Sequence, residues 1–76
     1  MYFIRVEIYE EKRKYPIVTH LFLGETVIEA KGYYNAHLKY DTFLAHCIIN
    51  GQFGQVTCKT KVTEGWTTHG SNPRID

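Results

Sequence analysis

Serine occurs once in this 76-residue chain, at Ser71, and cysteine and proline twice each. With one serine, placed in a polar tail, serine-nucleophile schemes have no candidate. Cys47 and Cys58 form no C-x-x-C, and no pair of histidines stands at metal-ligand spacing, so neither a redox motif nor a zinc site is spelled out. Two cysteines permit a disulfide on count alone; the reading adopted is two buried thiols in a reducing compartment. No apolar run approaches the ~20 residues of a membrane-spanning helix. The opening MYFIRVEIYE sets Arg5 and Glu7 inside its apolar stretch without a cleavage-site pattern, which marks a strand rather than a signal peptide. A net charge of +1 removes the basis for a strong nonspecific grip on nucleic acid, although a local basic patch remains open. The segment GQFG lacks the lysine and helix of a phosphate loop. The expectation is a cytoplasmic protein with no cofactor, no metal and no membrane partner.

What is present is enough for one small domain. Apolar residues make up 43% and aromatics 14%, which predicts a folded domain over residues 1–66 and a mobile polar tail over 67–76. A core of this size supplies only ~3–5 kcal/mol net, so packing, a staple or a partner must complete it.

Residues 2–9 alternate with the period of a strand: Tyr2, Ile4, Val6 and Ile8 point one way, Phe3, Arg5, Glu7 and Tyr9 the other. EEKRK (10–14) cannot be buried and predicts a hairpin tip, with Pro16 at the start of the second strand. IVTHLFLG is apolar at both parities. The phase adopted sends Ile17, Leu21 and Leu23 to the core and Val18, His20 and Phe22 to the opposite face.

Thr26 and Glu29 have capping-box spacing and mark a helix start. Val27, Ala30, Tyr34 and Leu38 then fall on one stripe, which should face the sheet; Tyr33, His37 and Tyr40 flank it with rings half buried, and Gly32 lies on the far side. Residues 42–49 fit either a short helix capped by Asp41 and ended by Gly51, or a strand turning through Asn50-Gly51; the helix is favoured because both faces of the strand would be apolar. From Gln55 alternation returns, with Val56, Cys58, Thr60 and Val62 inward and Lys59 and Lys61 outward.

The predicted architecture is α+β: a small antiparallel sheet in the order of elements ββα(α)β, helices on one face and the other face open. That open face should display Phe3, Arg5, Tyr9, Val18, His20, Phe22, Lys59 and Lys61. Exposed rings and aliphatics usually signify an interface. The expected partner is a second copy or another protein; the alternative is single-stranded nucleic acid, with rings stacking on bases and Arg5, Lys59 and Lys61 on phosphates. A third possibility is cover by the chain's own tail around Trp66. Tyr33, His37 and Tyr40 form a secondary candidate surface. The histidines at 20, 37, 46 and 69 show no thiol or carboxylate at a spacing that forces proximity, so no catalytic residue is assigned and the chain reads as non-enzymatic.

The pattern THLFLGETVIEAKGYYNAHLKYDTFLAHC (19–47) resembles small uncharacterised nonstructural proteins of single-stranded DNA phages of the microvirus type: a strand ending FxG, a capped helix containing GYY, an acidic cap and a second short segment. The resemblance implies an accessory role in a bacterial host cytoplasm. It transfers no functional residue.

Overall fold

A computed structural model describes residues 1–67. The elements run β1 (Tyr2–Glu10), β2 (Val18–Gly24), α1 (Val27–Tyr40), α2 (Thr42–Asn50), β3 (Gln52–Phe53) and β4 (Val56–Trp66). The strands form one antiparallel sheet in the order β2-β1-β4-β3, with both helices on one face, an α+β fold. The expected mobile tail lies outside the described residues except for Thr67, whose N–H donates to the Met1 carbonyl at 2.9 Å and prolongs the β1–β4 pairing. No helix among the described residues is long and apolar enough to cross a membrane.

β1 is the most apolar strand and occupies the centre, where Ile4, Val6 and Ile8 are sealed beneath the helices. The α1 stripe predicted from its period packs as expected: Ala30 is fully buried, and Val27, Tyr34 and Leu38 lie against the core. Thr26 caps the helix, its Oγ1 accepting from the Glu29 N–H at 3.1 Å. Gly24 brings α1 this close. A Cβ there would stand 2.5 Å from the Ala30 nitrogen, so the first turn of the helix could not rest on the end of β2.

Residues 42–50 are helical. Asp41 Oδ1 accepts from the Leu44 N–H at 2.9 Å, and Gly51 closes the helix in the left-handed region at φ 68°. This places Leu44 and Cys47 over the sheet, both buried. Burial, and then the neighbouring Cys58 thiol, push the Cys47 thiol up to about 12; both cysteines are free. The two-residue β3 has no counterpart in the sequence reading, because Gln52-Phe53 is too short to show a period; Gly54, at φ 60°, turns it into β4.

The phase of β2 corrects the sequence reading. Its register with β1 pairs Ile4 with Phe22, Val6 with His20 and Ile8 with Val18. Directly opposed residues share a face, so Val18, His20 and Phe22 lie under the helices with Ile4, Val6 and Ile8. Leu21 and Leu23 are on the helix-free face with Thr19, and Leu21 is 41% exposed. β2 starts at Val18 rather than at Pro16, and Ile17 is exposed. The phase chosen buries Phe22, whose ring meets Tyr34 edge-on at 5.6 Å, and leaves the hydroxyl of Thr19 in water.

Candidate functional sites

The helix-free face, as folded, carries Phe3, Arg5, Glu7 and Tyr9 from β1, Leu21 and Leu23 from β2, and Lys59 and Lys61 from β4. Of the eight residues expected there, Val18, His20 and Phe22 are absent, because they sit on the opposite side. Phe3 is on the face but only 8% exposed. It lies opposite Gly65, and its ring comes within 3.6 Å of where a Gly65 Cβ would stand, so it packs across the sheet instead of projecting from it.

The cations are unequal. Lys59 and Lys61 are exposed. Arg5 is committed: its Nη2 pairs with Glu7 Oε1 at 3.2 Å, while Tyr9 donates its hydroxyl to Glu7 Oε2 at 3.0 Å. That bond to a carboxylate raises the Tyr9 phenol above its ordinary value. Glu7 therefore gathers in two of the groups proposed for phosphate and base contact.

A second uncovered region was not legible as such. Glu11 donates its N–H to the Thr57 carbonyl, and Thr67 donates to Met1, so the odd-numbered residues of β4 turn their backbone groups toward β1. Backbone groups alternate sides along an antiparallel strand. The even residues therefore point outward, as the Cys58 N–H does toward the Gly51 carbonyl at 2.9 Å. β3 pairs only with Val56 and Thr57. Beyond it, the backbone of Thr60, Val62, Glu64 and Trp66 faces away from the sheet with no strand beside it among the described residues. Val62 is 46% and Trp66 61% exposed on the helix side, and a groove of about 230 Å³ lined by Ile4, Lys31, Tyr34, Asn35, Val62 and Glu64 runs beside them. Tyr2 braces this end, donating its hydroxyl to Glu64 and meeting the Trp66 ring edge-on at 5.1 Å.

The third feature is a cluster of polar side chains over β2. Correct phasing puts His20 on the helix side, and the last turn of α1 presents His37 and Asp41 to it. Asp41 Oδ2 lies 3.1 Å from His37 Nε2 and 3.6 Å from His20 Nε2. The two imidazole centroids are 4.7 Å apart, and the Phe22 ring flanks both. The Leu44 N–H on Oδ1, helped by the two histidines on Oδ2, holds the Asp41 carboxyl below its usual range despite partial burial. His37 and Asp41 are four residues apart, a spacing that brings side chains together at a helix end. This corrects the expectation that no histidine has a carboxylate within forced reach, and the signal was available in the sequence. His20 could not be added while β2 was out of phase.

The residues of the secondary candidate surface differ in their surroundings. Tyr33 bonds Glu29 at 3.0 Å along α1, and that carboxylate raises its phenol. His37 turns toward His20, whereas Tyr40 is 87% exposed rather than half buried. No protein-family model, curated protein or solved structure matches the chain.

Proposed function

We propose that this protein is a small non-catalytic accessory protein that acts by contact, and that its contact is self-association along the outer edge of β4. The observation that carries the reading is the run from Thr60 to Trp66, which has backbone donors and acceptors turned outward, exposed Val62 and Trp66, and no covering element among the described residues. A free strand edge of this kind is a template for another strand. A second copy related by a two-fold axis through Val62 sets Val62 against Val62, Thr60 against Glu64 and Lys61 against Thr63. The outward-facing residues meet one another in that register, and no lysine opposes a lysine. The helix-free face, with Leu21, Leu23, Lys59 and Lys61, then continues across both copies.

Single-stranded nucleic acid is the second reading, supported by the exposed Lys59 and Lys61 on that same face. The ion pair between Arg5 and Glu7 weakens it. An accessory role in a bacterial host's cytoplasm, as for the phage proteins it resembles, rests on the pattern at 19–47 alone.

Light scattering of the pure protein, with and without an oligonucleotide, separates the readings. Self-association predicts a dimer mass at micromolar concentration that ignores the oligonucleotide. Val62→Pro should give a folded monomer, because the lost N–H faces away from β1 and has no strand beside it among the described residues, and edge strands accept proline. A monomer at every concentration overturns the reading; oligonucleotide affinity that falls steeply with salt favours the second one.

A further inference from the structure

His20, His37 and Asp41 carry more than the capping of a helix requires. Asp41 divides its oxygens: Oδ1 caps α2 through the Leu44 N–H, and Oδ2 is left facing two imidazoles. His37 at 3.1 Å satisfies that oxygen. His20 at 3.6 Å is beyond hydrogen-bond reach, yet its Nε2 converges on the same atom. One potential donor atom from each residue can be chosen so that all lie within 4.8 Å of one another. Ligands ~2.0–2.2 Å from a tetrahedral ion stand roughly 3.3 Å apart, so both contacts to Oδ2 already have nearly that spacing. Only the two imidazoles must close on each other, by side-chain rotation.

We propose that these three side chains bind a divalent transition-metal ion of the zinc class, joining β2 to the α1–α2 junction. Two imidazoles with one carboxylate suit zinc and its first-row neighbours and disfavour calcium and magnesium, which take oxygen ligands. Three protein ligands leave a coordination position for water or an exogenous donor. All three side chains keep partial solvent access, so an ion can enter. The Phe22 ring walls the inner side, which limits hydration there and strengthens the charge interactions. A bound ion would also supply the cross-link that a small core without a disulfide lacks.

The test is titration of chelator-treated full-length protein with Zn²⁺ at pH 7 by calorimetry, with the melting temperature and the visible spectrum of the Co²⁺ form as second readouts. The proposal expects one equivalent bound, a higher melting temperature and no response to Ca²⁺ or Mg²⁺. His20→Gln, His37→Gln and Asp41→Asn should each weaken binding at least about tenfold, and His46→Gln should not. Asparagine still caps a helix, so Asp41→Asn remains folded and decides the matter should a histidine variant unfold. No saturable binding overturns the proposal. So does binding that survives all three substitutions, or that is lost with His46→Gln or His69→Gln.

Discussion

β1 and β4 lie side by side, paired from Tyr2–Trp66 to Glu10–Cys58, yet they occupy different worlds. β1 has a strand on each side and helices above it, and its inward residues are sealed. β4 alternates in the same way, but only Cys58 is buried. The helices explain the difference: α1 lies over β2 and β1, while α2 reaches β4 only near its start. Burial is conferred by what covers a strand, and a strand's own alternation says only which side is available for covering.

The sharpest way to test that contrast is to truncate a helix-side residue in each strand. Ile8→Ala in β1 should cost about 2–5 kcal/mol in denaturant unfolding, enough to leave so small a domain largely unfolded. Gly24→Ala, which drives a methyl into the backbone at Ala30, should cost about 1–3 kcal/mol and loosen α1 from the sheet, measured as lost helical circular dichroism on mild heating.

A titration probes the same sealed region. Cys47 binds its proton more tightly folded than unfolded, so its contribution is full below the unfolded value of 9.0 and is lost as pH rises through about 12. Across that window the unfolded chain releases the proton first, and stability should fall by up to about 1.4 kcal/mol per pH unit relative to a Cys47→Ala variant. Thiol reagents at pH 8 should leave native Cys47 untouched.

Smaller effects belong to the open regions. Gly32→Ala meets nothing within 4 Å, so it should stabilise by about 0.5–1 kcal/mol through helix propensity alone. Val62→Ala should stay within about 0.5 kcal/mol of the parent in a dilute, monomeric sample. A cost there as large as that of Ile8→Ala would erase the distinction between the two strands.

Much of this was legible in the residues. Clean alternation phased β1 and β4; Thr26 and Glu29, with the stripe from Val27 to Leu38, placed α1; the apolar character of both faces of a strand over 42–49 favoured a helix there, with Asp41 and Gly51 as its caps. β2 was illegible for a physical reason. Val18, Leu21, Phe22 and Leu23 make both of its faces apolar, so its phase is set by its register with β1 and by the fit of Phe22 beneath Tyr34, neither of which is a local property. That one error displaced three residues of the expected surface and hid the His20 cluster. The edge of β4, uncovered among the described residues, was invisible for a different reason. It depends on where β3 stops, and β3 is two residues long.

Amide hydrogen exchange of β4, followed by nuclear magnetic resonance at two protein concentrations, addresses the central claim most directly. Pairing between copies predicts that the N–H groups of Val62 and Glu64 exchange slowly, and more slowly still in the concentrated sample. Exchange of both at the rate of an open strand edge, unchanged between the samples, would contradict it.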